Sequence, residues 1–254
     1  MGENAVTYEQ IVLNAYQTEH ILMLEMEESI NSHGTLYMTA VIPEETAEQY
    51  VYETTPMMPV TLSYLENRES MKTLCRGLVA NIQVSCQGNI YQMDLMVKGK
   101  TWAMDIIKRS RSFQDISMTV HQLIREVMSG YADSDCIIQI PDEPIGELVI
   151  QYQETDWEFL MRFVSMYGAV LIPDMVSEKL SLFVGIPKDG VPVSVKPYQY
   201  HLVKRVDEYL YVKKNIWPDA LEVDFVEFQF WDYQIFRVGN SIDLNSINLA
   251  VQSV

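Results

Sequence analysis

The run TLCRGLVANIQVSCQGNIYQMDLMV, residues 73–97, decides the fold class. Residues 74–85 and 90–97 read as two long strands joined at Gln87-Gly88-Asn89, where a glycine between polar residues supplies the positive φ of a tight turn. Outward from this hairpin, Leu36, Met38, Ala40 and Ile42 alternate with Tyr37, Thr39 and Val41 until Pro43, and residues 58–64 give a further strand. Strands joined by short turns without intervening helices predict an antiparallel sheet that closes on itself as a small barrel or sandwich. Residues 1–34 carry weaker signals. Ile21, Leu22, Leu24 and Met26 are interleaved with acids, so 16–30 reads as a short helix or an extended arm.

Two helices follow. Thr119 with Gln122, and Thr155 with Glu158, are capping boxes. Val120, Leu123, Ile124, Val127 and Met128 form one apolar stripe, ended at Gly130. Phe159, Leu160, Phe163, Val164 and Tyr167 form another, ended at Gly168. Single stripes predict packing on a sheet, which we assign to residues 136–140, 148–151, 169–173 and 179–185. The fold class is therefore mainly β with an α/β insertion. The expected divisions are an arm at 1–34, a first barrel at 35–116, the insertion at 117–186 and a second barrel at 187–254. That second unit follows the Gly- and Pro-spaced stretch 188–197. Its expected strands are 203–212, 221–230, 234–238 and 247–254, with no closing element after the last.

Composition narrows the function classes. The chain is 48% hydrophobic, enough for a sizeable core, and has no apolar run of membrane-spanning length, so no stable membrane insertion is expected. Glu3 and Glu9 occupy the place where a signal peptide is basic, and a start in the cytoplasm of the producing cell is expected. Cys75, Cys86 and Cys136 are an odd count without C-x-x-C spacing, which argues against a disulfide framework or zinc site and for buried, inert thiols. Net charge is −17, from 18 basic and 35 acidic residues, with Arg68 the first basic residue. Such a surface repels nucleic acid rather than binding it specifically.

Catalytic patterns are absent: no phosphate-binding glycine loop, no H-E-x-x-H, no G-x-S-x-G. His20, His33, His121 and His201 are scattered, and His121 is expected in solvent. Glu154 and Asp156 suggest a glycosidase pair, but they flank Thr155 at a helix start, where acids complement the macrodipole. The basic cluster Lys108, Arg109 and Arg111 is short, and pairing with carboxylates of this or a neighbouring subunit fits it better than nucleic acid. No catalytic, cofactor or metal-ligating residue is assigned.

The middle of the chain resembles a known family. Arg109-Ser-Arg111-Ser-Phe113-Gln114-Asp115, a helix beginning at Met118-Thr119-Val120, then Gln151-Tyr152-Gln-Glu154-Thr155-Asp156-Trp-Glu-Phe159 and Arg162 occur in order. They resemble the R-x-F-Q and Q-Y-x-E-S/T-D-x-x-F signature of the hub region of valine-glycine repeat (VgrG) proteins of type VI secretion. Late control protein D of contractile phages and the hubs of phage-tail-like bacteriocins share it. Arg76-Gly77-Leu78-Val79-Ala80 resembles the family's F-x-G-x-V strand. Phe236-Arg237-Val238-Gly239-Asn240 resembles its later strand, with Asn240 where the family has Asp.

The resemblance implies two tube-type antiparallel barrels per chain and a homotrimer whose ring of six barrels adapts a sixfold tail tube to a threefold spike. It implies tube and spike partners, the spike carrying an oligosaccharide-binding-type domain or needle, and a final location in the tail baseplate. DNA or cargo passes through the bore, for which an acidic wall is suited. The motif residues are expected to hold the insertion against the barrel, not to react. The other readings are a tail-associated cell-wall hydrolase and a monomeric β-rich adaptor.

Overall fold

The computed structural model describes residues 8–66, 70–185, 193–194, 200–215, 218–230, 238 and 242–243. The chain divides into two compact units, Met1–Lys188 and Asp189–Val254.

The first unit opens with a six-stranded antiparallel sheet. Its strands are β1 (Ile11–Leu13), β2 (His20–Ser29), β3 (Ser32–Ile42), β4 (Pro59–Glu66), β5 (Ser70–Gln87) and β6 (Ile90–Gly99), in the order β1-β4-β5-β6-β3-β2. The sheet curls as a half barrel. Gly88 at φ 58° and Asn89 at φ 62° form the two-residue turn between β5 and β6, where Gln87 faces Ile90. Positive φ at both central residues matches the right-handed twist of the flanking strands. Alternation buries Leu36, Met38, Ala40 and Ile42 of β3 with Met93, Leu95 and Val97 of β6.

Residues 16–30 are neither arm nor helix: β2 is an edge strand paired antiparallel with β3, Met26 opposite Leu36 and Leu24 opposite Met38. Its acids are solvated on the pleat, and the ladder to β3 outweighs a helix with no apolar stripe to bury. The first sheet thus spans 11–99 rather than beginning at residue 35. Between β3 and β4 lies helix α1 (Glu44–Glu53), unforeseen because only Ala47 is buried.

The rest of the first unit is the α/β insertion. A 3-10 turn, Lys100–Asp105, leads to β7 (Arg109–Phe113), α2 (Val120–Met128), β8 (Ser134–Ile138), β9 (Val149–Glu154), α3 (Asp156–Ser165), β10 (Leu171–Pro173) and β11 (Leu180–Val184). Strand β9, expected beside β8 and β11, pairs instead with β7, while β10-β11-β8 form a separate sheet with β8 parallel to β11. The insertion therefore begins at β7, ahead of the expected residue 117. Sequence alternation marks a strand but not its neighbour, and the partner of β9 lay hidden in the basic cluster. Both helices bury their stripes in a second core with Phe113, Leu171, Leu182 and Val184.

Two stitches join the cores. Asn31, in the β2–β3 turn, receives Leu171 N at its Oδ1 and donates its own N–H to Leu171 O, both at 2.8 Å. Met175, between β10 and β11, enters the sheet core and is 1% exposed. It lies over Gly34 of β3 and Gly99 of β6: a Cβ on Gly34 would sit 2.0 Å from its sulfur, one on Gly99 3.4 Å from its Cγ. Arg76 of β5 clamps the same loop, donating to the carbonyls of Met175 and Val176 and pairing with Glu178 at 3.2 Å.

In the second unit, β12 (Val193–Ser194) pairs with β15 (Ile242–Asp243), and β13 (Tyr200–Lys204) with β14 (Val226–Phe230). Residues 203–212 were expected as a strand, but most of them lie in helix α4 (Val206–Asn215). Val206, Tyr209, Leu210 and Lys213 share helical spacing, and acids at its start with lysines at its end complement the helix dipole. Of residues 221–230, Glu222–Phe225 is a 3-10 turn and only Val226–Phe230 is extended. The strand expected at 247–254, and all but Val238 of that at 234–238, lie outside the described residues.

Candidate functional site

The motif residues converge where β7 and β9 meet the start of α3. The register sets Arg109 opposite Glu154 and Arg111 opposite Gln151, and turns both guanidinium groups toward the helix. Asp156, first residue of α3, is 1% exposed. Its Oδ1 accepts from Arg111 Nη2 at 2.6 Å and Gln151 Nε2 at 3.0 Å. Its Oδ2 accepts from the Tyr131 hydroxyl at 2.6 Å and pairs with Arg109 Nε at 3.2 Å. Gln151, 0% exposed, receives Arg111 Nε at 2.7 Å and donates to Glu154 O. A buried carboxylate persists only when charge and hydrogen bonds both compensate its lost hydration, as they do here. Burial, and donation to Asp156, push the Tyr131 phenol well above its ordinary range.

Around this knot sit the cap and the rim. Thr155 accepts from Glu158 N at 3.1 Å, and Glu158 accepts from Thr155 N at 2.8 Å, closing the capping box. The same Thr155 hydroxyl donates to Asp105 Oδ1 at 2.5 Å, tying the helix start to the turn after β6. Phe159 stacks between Phe113 and Phe163, with centroids 5.6 and 5.9 Å away. On the open side, Arg162 binds both Glu154 oxygens at 2.7 Å and donates to Ile150 O at 2.8 Å. Those bonds hold the Glu154 carboxyl below the usual carboxylate range. Glu154→Gln is expected to cost no more than about 1 kcal/mol in urea unfolding, because this pair is solvated.

Two motif residues stay outside the knot. Tyr152 is 73% exposed and Gln114 donates to Ser112, two residues back on the same segment. Tyr152→Ala is expected to leave thermal stability within about 0.5 kcal/mol of the parent, the usual range for surface substitutions. Tyr131 and Asp105, which sequence reasoning missed, carry no local signal. Each reaches the site from a different element.

Asp156 is enclosed by two guanidinium groups, an amide and a phenol, and Glu154 is held by Arg162, so both carboxylates already have partners within the fold. Among the described residues no three His, Cys, Asp or Glu side chains are gathered to hold a metal ion. Cys75 is buried as expected, but Cys86 is exposed near the β5–β6 turn and Cys136 is half-buried, so the thiols are not uniformly core. His121, expected in solvent, rests 2.8 Å from Ile140 O.

Comparison with known proteins agrees with this architecture. No curated protein matches the chain. The E. coli c3393 protein, a type VI secretion component structurally similar to T4 bacteriophage tail proteins gp27 and gp5, superimposes with a TM-score of 0.56. The match has 13% identity and covers 80% of this chain and 58% of that one. The 43 kDa tail protein of prophage MuSo2 from Shewanella oneidensis gives 0.56 at 14% identity, covering 76% and 59%. A tail protein from Neisseria meningitidis MC58 gives 0.52 at 10% identity, covering 72% and 54%. The chain thus spans less than two thirds of the length of these structures. At such identities the likeness shows the fold alone. The model of the phage tail baseplate hub (GPD) family matches residues 27–184, which runs from the end of β2 to β11 and takes in four of the six strands of the curled sheet, the Met175 stitch and the Asp156 knot, and the chain belongs to that family.

Proposed function

We propose that the chain is a structural, non-catalytic hub that assembles as a homotrimer, adapting a sixfold tail tube to a threefold spike and lining the channel between them. A structural hub role in a tail or injection machine follows from the family match over residues 27–184, and that match carries the reading. The trimer, the tube and spike partners, and a second barrel formed by the unit from residue 189 onward extend it. In this reading the protein folds in the cytoplasm of the producing bacterium and ends in the baseplate. No helix among the described residues is long and apolar enough to cross a membrane.

The sheet face turned away from the core supports a channel wall. Thr39 Oγ1 donates to Asp94 Oδ1 at 2.7 Å, Gln92 reaches both Asp94 oxygens at 3.3 Å, and Gln83 lies opposite Asp94 on β5. Glu25 stands opposite Tyr37 at the edge of the same sheet. An acid-bearing face repels passing DNA.

Light scattering on the purified chain across a concentration series tests the assembly. A mass of three times 29.4 kDa is the expected result. A monomer that persists at high concentration, alone and with tube and spike proteins added, would favour the adaptor reading. Release of soluble fragments from peptidoglycan by the pure chain would instead favour the hydrolase.

A further inference from the structure

Where the sheet meets α3, a histidine is shut in without full partnership. His33, second residue of β3, has a side chain 7% exposed. Its Nδ1 lies 3.0 Å from the Thr101 hydroxyl, and the Trp157 ring covers it, centroids 4.2 Å apart. Its Nε2 is buried without a hydrogen-bond partner among the described residues, 3.5 Å from Asp105 Oδ2. The charged groups facing the ring are Asp105, from the 3-10 turn, and Lys98, from the end of β6. From α3 it meets the Trp157 indole, while Thr155 occupies the other oxygen of Asp105. One imidazole, one carboxylate and one cap hydroxyl thus link three elements.

We propose that this junction is an acid-released clasp: as pH falls, the first turn of α3 lifts from β3 while the six-stranded sheet stays folded. A neutral imidazole fits the site. A protonated one is penalised first by burial under Trp157, and Lys98 adds repulsion; Asp105 opposes both only from 3.5 Å. The balance lowers His33 to about 4, from the ordinary 6.5. An opened site, with the ring in water, takes its proton at the ordinary value. Between pH 6.5 and 4 the open form therefore binds more protons, and opening grows more favourable by about tenfold per pH unit, about 300-fold in all. Above that window the clasp is insensitive to pH. The covering helix turn yields rather than β3, because β3 is laddered on both sides, to β2 and to β6.

The cap makes the release readable. The amides of Glu158 and Phe159 both bond to Thr155, at its hydroxyl and its carbonyl. Hydrogen exchange of these two amides in the full chain, corrected for intrinsic rate, is expected to lose about tenfold protection per pH unit from pH 6 to 4.5. The amides of Leu95 and Val97 in β6 stay protected as internal reference. In His33→Gln, which keeps a polar side chain but cannot take the charge, the pH slope is expected to vanish. The His33 ring-proton titration in the unaltered chain provides a test independent of any variant, with a midpoint near 4 expected. A midpoint near 6.5, the same slope in both proteins, or loss of the β6 amides together with those of α3 would each overturn the clasp.

Discussion

Asp156→Ala is expected to lower the free energy of unfolding by about 3 kcal/mol, the low end of the range for removing one partner of a buried ion pair. The substitution leaves Arg109 and Arg111 facing each other, strips Tyr131 of its acceptor and leaves Gln151 with only the Glu154 carbonyl of its two acceptors. The two arginine side chains are 39% and 29% exposed, so water relieves part of their repulsion and keeps the cost from the upper end. Asp156→Asn retains the shape and one acceptor oxygen, and about 2 kcal/mol is expected. Urea unfolding of the full chain measures both, with Glu154→Gln as the solvated comparison. Equal losses for Asp156→Ala and Glu154→Gln would mean that the knot contributes no more than a surface pair does.

A cost of similar size attaches to Met175, for a different reason. Met175→Ala is expected to destabilise by about 3 kcal/mol, since the site is sealed by β3 and β6 and cannot collapse onto a smaller side chain. Gly34→Ala introduces a Cβ where the Met175 sulfur and Cγ already sit, at 2.0 and 2.6 Å. That overpacking is expected to cost about 2 kcal/mol. In the Met175→Ala background the same alanine enters a vacated space, so the double variant is expected to be more stable than the sum of the single changes by about 1–3 kcal/mol. Strict additivity in a double-mutant cycle would remove the stitch from the account. The cycle reads the joint between sheet and insertion directly, because Gly34 belongs to one and Met175 to the other.

Legibility in the sequence followed the range of the interactions. The β5–β6 hairpin, α2 and α3 rest on signals within a few residues: a turn glycine, two capping boxes and two apolar stripes. Strand β2 did not, because Ile21, Leu22, Leu24 and Met26 suit a helix as well as a strand until β3 supplies the ladder. Helix α4 was missed for the opposite reason, its Val206, Leu210 and Tyr211 resembling a strand in composition. At the candidate site the residue types were visible but not their joining. Arg109 and Arg111 needed Asp156 from another element, and the phenol of Tyr131 comes from 25 residues before its acceptor. Nothing local marks Asp105, which meets Thr155 across 50 positions.

The Met175 stitch also dictates an order of events during synthesis. The sheet it completes ends at Gly99, so all six strands leave the ribosome well before the residue that fills their glycine-lined gap. The Asn31–Leu171 pair waits equally long. Until β10 and β11 have emerged, the nascent sheet presents an unfilled apolar cleft, a species prone to associate with its neighbours on the same message. These late, long-range closures make the first unit a slow folder among domains of its size. Chaperone capture of nascent chains is thus expected to peak while residues 100–184 are emerging from the ribosome.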